Sequence, residues 1–224
     1  TGGVDVESIL AKVDANTSLL AFIQASNVTG AVLDAEKIIR EARKINPNLH
    51  VVVDGTQHAP HACVDVEALG CDAYFFAPYK ILGKNGMSFG WISDRVSKLP
   101  HEHLFGKDPL NWDLGTQEHT AYLCWTKVID YLAWLGGRFT ASTDRRTLVV
   151  AAMERIEAHE RTLLARILRG NGKQPGLFAQ QGVSTFGIDK DTGRHDCVVG
   201  FNLRGLSAPD AVGEYLRRGI VVHN

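Results

Sequence analysis

Long apolar runs, clusters of basic residues and a secretory leader are all missing from this sequence, and each absence excludes a class of protein. No stretch comes near the roughly 20 apolar residues of a membrane-spanning helix. The start, TGGVDVESIL, has neither the basic nor the apolar region of a signal peptide. The formal net charge is −1 and the basic residues are scattered, so nothing indicates binding to nucleic acid or to an anionic membrane. We therefore expect a soluble, cytoplasmic protein.

Paired metal ligands are also scarce. The chain has four cysteines, which form no Cys-x-x-Cys pair and are far apart: Cys63, Cys71, Cys124 and Cys197. This spacing argues against a structural zinc site and a redox motif, and we expect small, buried hydrophobic residues instead. Two histidine pairs, His58/His61 and His101/His103, have no third ligand at helical or hairpin spacing. We therefore predict no metal site.

The first part of the chain alternates between strand and helix patterns. Strand patterns occur in LLAFIQAS, HVVVD, DAYFFA and SFGWIS, the last after a Gly-rich loop. Between them, DAEKIIREARKI predicts an amphipathic helix with Ile38, Ile39, Ala42 and Ile45 on one stripe, and DVEALG a short helix. Strands separated by helices indicate crossover connections and a mostly parallel sheet flanked by helices. Residues 1–137 are therefore predicted to form a large α/β domain.

The pattern changes in the second part of the chain. GRFTASTDRRTLVVAAMERIEAHERTLLARIL predicts a long connecting helix over residues 138–170. After it, FAQQGVSTFGI and CVVGFNL read as strands, SAPDAVGEYLRRG as a helix that begins with a Ser-x-x-Asp cap, and IVVHN as a strand. Residues 171–224 are predicted to form a small α+β domain.

Two of the buried strand patterns are each followed by a charged residue. Asp54 comes directly after Val51–Val53, and Lys80 follows Ala73–Phe76. Ligands of open α/β sheets bind outside the carboxyl ends of the strands, so we expect both side chains to face one crevice. There an amine can form a Schiff base, and a carboxylate can keep a pyridinium nitrogen protonated. The alternative is a surface ion pair without chemistry.

The order and spacing of several motifs resemble one enzyme family. They are the SNV-G turn, the core VVVDG-Q--PH--VDV--LG-D-Y, the strand leading into Lys80, then WDLGTQEHTAY and, more weakly, GLSAPDAVGEYLRRGIVVHN. Together they resemble the class V aminotransferase and cysteine desulfurase-like group of pyridoxal-phosphate enzymes, of fold type I, over most of the chain. The resemblance implies pyridoxal 5'-phosphate as cofactor and an amino acid as substrate. It also implies that both domains are partial, with segments before Thr1 and after Asn224 absent.

Carried over by position, the resemblance assigns a role to individual residues. It implies that Lys80 holds the cofactor as a Schiff base, with Lys84 in the Gly-rich loop as its rival. It implies that Asp54 pairs with the pyridine nitrogen and that Gln57 hydrogen-bonds the phenolic oxygen. Asn27 matches a position close to the cofactor and the substrate carboxylate. Asn27 as a turn residue and Gln57 as an exposed loop residue are the alternatives.

Gly115 and Thr116, in the motif LGT, match the segment that reaches the cofactor phosphate of a neighbouring subunit. The resemblance therefore implies a homodimer with shared active sites. LGT also precedes a strongly apolar helix pattern, and we expect its N-terminus to add partial positive charge toward the phosphate. The alternative is that Thr116 only caps this helix.

Two positions depart from the family pattern. In FAPYK, Ala77 stands at or close to the place of a serine, so one phosphate-binding hydroxyl is missing, and Tyr79 stands at the place of a histidine. Tyr79 can take part in proton transfer or simply stack near the ring. We expect a cysteine desulfurase-like lyase or transferase. The alternatives are a class V aminotransferase, an epimerase, a kynureninase-like enzyme or a non-catalytic α/β binding module.

Overall fold

A four-stranded sheet and a separate two-stranded sheet organise the chain. The structure is a computed structural model and describes residues 3–188 and 194–224. These residues divide into two compact units. The larger contains Val4–Ala25 and Leu33–Glu157, and the smaller contains Ser26–Val32 and Ala158–Asn224. The domain boundaries expected from the sequence, after residues 137 and 170, stay a prediction.

The sheet of the larger unit is mostly parallel, as predicted. Its strands, in spatial order, are β1 (Leu19–Ile23), β2 (His50–Asp54), β3 (Ala73–Phe76) and β4 (Phe89–Ile92). The first three run parallel, and β4 is antiparallel to β3. Val51 and Val53 in β2 are fully buried because the strand lies between two neighbours and under a helix.

Helices cover this sheet and extend beyond it. They are α1 (Val6–Leu10), α2 (Ala35–Ile45), α3 (Val66–Leu69), α4 (Asp94–Ser97), α5 (His119–Gly136) and α6 (Arg145–Arg169), and a 3₁₀ turn spans Pro78–Ile81. In α2, Ile38, Ile39 and Ala42 are buried as predicted. Ile45, expected on the same stripe, is 43% exposed because it is the last helical residue. No helix among the described residues is long and apolar enough to cross a membrane.

Two apolar clusters hold the larger unit together. One joins α2 and α3 to the sheet through Leu49, Val51, Val53 and Tyr74. The other lies between α5 and α6 and contains Val128, Leu132, Ala152 and Met153. The apolar residues whose spacing predicted these helices and strands are therefore the ones that pack against each other in the two clusters.

The smaller unit contains an antiparallel strand pair and one further α-helix after α6. Its elements are a 3₁₀ turn (Leu177–Ala179), β5 (Val183–Phe186), β6 (Gly200–Leu203) and α7 (Ala208–Arg217). Leu164 and Leu168 of α6 pack with Ile188 in its core. The predicted cap of α7 is confirmed, because Ser207 Oγ accepts a hydrogen bond from Asp210 N at 3.3 Å.

Three sequence-based expectations about local structure were wrong. The long helix begins at Arg145, because Asp144 accepts a hydrogen bond from Thr147 N at 2.8 Å and so caps the helix start there. IVVHN is not a strand: Ile220 N donates to Tyr215 O at 3.0 Å, which closes the end of α7 instead of pairing with a strand. Of the four cysteines expected to be buried, Cys71 is buried, Cys124 and Cys197 are partly buried, and Cys63 is exposed in the irregular segment before α3.

Candidate active site

Asp54 ends β2 at the carboxyl edge of the sheet. Its backbone is held from the side of β1, since Gln24 N donates to Asp54 O at 2.8 Å. The side chain is exposed although Val53 is fully buried, because successive residues of a strand face opposite sides. Its Oδ1 accepts a hydrogen bond from Thr56 N at 2.9 Å, which orients the carboxylate at the turn that follows.

Lys80 lies in the 3₁₀ turn that follows β3. Pro78 starts this turn and is fully buried, and Gly83 N donates to Pro78 O at 2.8 Å, which closes it. The Nζ atom of Lys80 donates a hydrogen bond to Gln57 Oε1 at 2.6 Å. The segments that follow the parallel neighbours β2 and β3 therefore meet through these two side chains, as the sheet topology predicts.

Gln57 is buried rather than exposed, so the alternative of a solvated loop residue is wrong. Only 9% of the residue is accessible. Its Oε1 faces Lys80, and its Nε2 lies 3.1 Å from Nε2 of His61. Sequence reasoning considered His61 only as a metal ligand and missed this contact. The available signal was its place four residues after Gln57 in QHAPH.

Lys84, the rival of Lys80, is engaged elsewhere. It is exposed, and its Nζ donates to Glu118 Oε2 at 2.7 Å and to Thr120 Oγ1 at 2.9 Å. The hydrogen bonds that Glu118 accepts, first from Lys84 and then from Thr120, lower the pKa of its carboxyl to about 2. Lys84 therefore ties the Gly-rich loop to the start of α5.

Tyr79 and Asn27 occupy exposed positions in different units. Tyr79, in the same 3₁₀ turn as Lys80, is 47% exposed. Asn27 belongs to the smaller unit and lies in a tight turn, in which Ser26 Oγ accepts hydrogen bonds from Val28 N and Thr29 N at 3.3 and 3.1 Å. The turn conformation considered for Asn27 is thus present.

Gly115 and Thr116 are exposed, in the segment before α5. Thr116 does not cap this helix, so that alternative is wrong. The cap is Glu118, whose carboxylate accepts hydrogen bonds from Thr120 N at 3.2 Å and Ala121 N at 3.1 Å. We expected the backbone N–H groups at this helix start to add positive charge toward a phosphate, but two of them donate to the Glu118 carboxylate instead.

An apolar cavity of about 330 Å³ lies under this region, between the sheet and the helices α5 and α6. Ile81, next to Lys80, contributes to its wall together with Phe76, Trp91 and Trp125. Most of its wall is apolar, and Arg146 of α6 also contributes to it. The candidate site is the polar cluster of Asp54, Gln57, His61 and Lys80, and the mostly apolar cavity lies next to it.

Comparison with known proteins assigns the family. The model of the family described as Aminotransferase class-V matches residues 1–223. The chain belongs to this family. A cysteine desulfurase of Yersinia pestis (strain Pestoides F) is 30% identical over 152 residues, which cover 61% of this chain and 37% of that protein. A cysteine desulfurase of Enterobacter sp. (strain 638) is 26% identical over 216 residues, or 87% of this chain and 53% of that protein.

A solved structure confirms the fold class. The apo structure of a cysteine desulfurase from Thermococcus onnurineus NA1 superposes with a TM-score of 0.76 at 21% identity, and the match covers 99% of this chain and 53% of that one. The class-V chain therefore has the mixed, mostly parallel α/β fold that was predicted. It spans 37% to 53% of the length of the two curated relatives named above.

Proposed function

We propose that the complete protein is a pyridoxal-phosphate-dependent enzyme of the cysteine desulfurase type, which acts on an amino acid through Lys80. The observation that carries the proposal is the contact of 2.6 Å between Lys80 Nζ and Gln57 Oε1 at the carboxyl edge of the sheet. Asp54 ends the strand that leads into Gln57. Membership of the class-V aminotransferase family supports the proposal, since enzymes of this family use pyridoxal phosphate.

The polar side chains of the candidate site fit pyridoxal phosphate. They are the amine of Lys80 on a short, closed turn, the carboxylate of Asp54 at a strand end and the buried amide of Gln57. Pyridoxal phosphate, when bound, supplies an aldehyde for the amine and a ring that withdraws electrons from the amino-acid substrate. These three groups match an aldehyde, a ring nitrogen and a phenolic oxygen, one to each.

Each side chain has a separate task in this proposal. The Lys80 amine would hold the cofactor aldehyde and move protons at the substrate carbon, and Tyr79 of the same turn would either take part in proton transfer or stack near the ring. Asp54 keeps the ring nitrogen protonated, because an ionised carboxylate stabilises a nearby cation. Gln57 orients the phenolic oxygen, and His61 orients Gln57 through its Nε2 atom.

The remaining roles extend to the smaller unit and to a partner chain. We propose that Asn27 contacts the cofactor and the substrate carboxylate, and that Gly115 and Thr116 contact the phosphate held by the other subunit of a homodimer. We also propose a cytoplasmic location, with a small amino acid as substrate and neither nucleic acid nor membrane as partner. Cysteine is the first substrate to test, because the relatives are named cysteine desulfurases.

Reductive trapping tests the assignment of Lys80. The complete protein is incubated with pyridoxal phosphate, reduced with borohydride and digested, and the labelled peptide is identified by mass spectrometry. We expect the label on Lys80, both in the wild type and in a Lys84→Ala control, and its loss in Lys80→Ala. A label on Lys84, or on no lysine, would contradict the proposal.

Product analysis tests the reaction. The complete protein is supplied with pyridoxal phosphate and a panel of single amino acids, and the products are identified. Release of sulfur from cysteine is the result that we expect. Transfer of an amino group, inversion of a stereocentre or cleavage of kynurenine would instead identify one of the other class-V activities, and no turnover with a labelled Lys80 would favour a binding module.

A further inference from the structure

The ring of Tyr74 fills the space that a side chain at position 55 would need. A Cβ atom added to Gly55 would lie 1.8 Å from Tyr74 Oη and 2.0 Å from its Cζ. Distances this short leave no room for any side chain. Position 55, directly after Asp54, is therefore restricted to glycine by the tyrosine beneath it.

Tyr74 also makes a hydrogen bond past this glycine. Its Oη donates to Gln24 Oε1 at 2.7 Å, and both residues are buried, with 3% and 8% of their surface exposed. Gln24 follows β1, Tyr74 lies in β3, and Gly55 follows the strand between them. The bond thus links the two strands that flank β2, beside the end of β2, in a position that only glycine at 55 allows.

The backbone of the segment 54–57 is held by the same neighbours. Gln24 N donates to Asp54 O at 2.8 Å, and Gly55 N donates to Phe75 O at 2.8 Å. Ala59 N then donates to Gly55 O at 2.8 Å. Gln24 therefore acts twice, through its main chain on Asp54 and through its side chain on Tyr74.

We propose that Tyr74 and Gln24 are positioning residues that fix the backbone from Asp54 to Gln57, and so set where the Asp54 carboxylate and the Gln57 amide stand. The inference rests on the proposed function, in which these two groups hold the cofactor. Removing the Tyr74 hydroxyl leaves Gln24 Oε1 buried without its donor, and an unpaired buried acceptor is costly. We expect Gln24 to shift toward another donor, and its main chain is hydrogen-bonded to Asp54.

The first test needs no cofactor. Hydrogen–deuterium exchange of the complete protein is compared between the wild type, Tyr74→Phe and the control Ile39→Val, which shortens a buried side chain of the same core in α2. We expect exchange in the peptide covering residues 54–59 to be about tenfold faster in Tyr74→Phe, the loss of one hydrogen bond of ordinary strength. The control should leave that peptide unchanged.

The second test separates positioning from general stability. In the double variant Gln24→Leu/Tyr74→Phe both members of this hydrogen bond are apolar, so position 24 no longer presents an acceptor without its donor, and the urea midpoint should return toward that of the wild type. The link beside β2 is still missing. We therefore expect the affinity for pyridoxal phosphate to stay about tenfold weaker in the double variant, as in Tyr74→Phe.

The outcomes distinguish this inference from the proposed function. Unchanged exchange in residues 54–59 of Tyr74→Phe would overturn the inference, whether or not the protein binds pyridoxal phosphate. Recovery of wild-type affinity together with stability in the double variant would also overturn it, because the pair would then be ordinary core packing. Failure of the wild type to bind the cofactor through Lys80 would overturn only the proposed function, and exchange would then decide the inference alone.

Discussion

At the scale of single residues, two lysines four positions apart have different surroundings. Lys80 is half-buried in a closed turn and contacts the buried amide of Gln57. Lys84 is exposed and contacts Glu118, a carboxylate at a helix start. An amine that contacts a neutral amide in a confined place is the better candidate for covalent chemistry, because it is not held in an ion pair with a carboxylate.

The carboxylate of Asp54 gives a prediction at the same scale. Replacing it by the neutral amide in Asp54→Asn removes the group that we propose keeps the ring nitrogen protonated. We expect the variant still to be labelled at Lys80 after borohydride reduction, with turnover lower by about a hundredfold or more. Mass spectrometry of the reduced protein measures the labelling, and steady-state rates measure the turnover.

The matched control for this variant is Asp94→Asn. Asp94 is an exposed aspartate in the first turn of α4 and lies outside the candidate site. Turnover should be unchanged there. Equal turnover in Asp54→Asn and the wild type would rule out the role of Asp54.

At the scale of elements, buried charge holds the sheet at the edge opposite the candidate site. Asp72, which precedes β3 and is almost fully buried, accepts hydrogen bonds from Arg43 Nη2 of α2 at 2.8 Å and from Val51 N of β2 at 2.9 Å. Arg95 of α4 lies 3.4 Å from its other oxygen. One carboxylate thus joins two helices to two strands, and removing it would leave buried donors unpaired.

The start of α5 is a second such junction, and it is exposed. Glu118 caps the helix and accepts a hydrogen bond from Lys84 of the Gly-rich loop. Its pKa falls from the ordinary value of 4.5 to about 2. A carboxyl with a lowered folded-state pKa stabilises the folded state above its unfolded pKa, and this contribution is lost as the pH falls through the folded value.

The variant Glu118→Gln tests this junction. We expect the wild type to have a higher thermal midpoint than the variant. This difference should be largest above pH 4.5 and should shrink between pH 4.5 and about 2. Calorimetry across this range measures it, and added salt should reduce it because the pair is exposed. A difference that grows as the pH falls would contradict the assigned ion pair.

At the scale of the whole molecule, the proposal places each active site between two chains. Thr116 is exposed and does not cap α5, so its hydroxyl is available for a phosphate held by a partner subunit. Ala77 stands where the family resemblance leads us to expect a phosphate-binding serine, so we propose that Thr116 matters more for the phosphate here. We expect a mixture of Lys80→Ala and Thr116→Ala chains to regain activity, because one site of each mixed dimer has both residues.

The experiment depends on subunit exchange, which native mass spectrometry can follow. The matched control is Thr126→Ala in α5, an exposed threonine whose hydroxyl donates to Tyr122 O of the same helix at 3.1 Å. A mixture of Lys80→Ala with Thr126→Ala should show no gain beyond the activity of the latter. No recovery with Thr116→Ala, in dimers shown to be mixed, would reject a shared site.

Most of the helices and strands, and the sheet edge where we propose the active site, could be predicted from the amino-acid sequence alone. Apolar runs predicted β2 and β3, although the expected burial on both faces is incomplete, since Phe75 of β3 is 40% exposed. The period of α2 predicted its buried face. The Ser-x-x-Asp motif predicted the start of α7, because that cap is a local hydrogen bond. Asp54 and Lys80 followed from strand ends, since parallel strands end at one edge.

Contacts between groups that are far apart in the chain depend on the tertiary structure. Lys80 with Gln57, Lys84 with Glu118 and Tyr74 with Gln24 are separated by 23, 34 and 50 residues, and no local pattern encodes these pairs. For the same reason the tail IVVHN was misread: its apolar pattern suits a strand, but a strand forms only where a neighbouring strand offers its backbone. The local apolar pattern limits which secondary structure a segment can form, and the neighbouring segments it can pair with determine which one it forms.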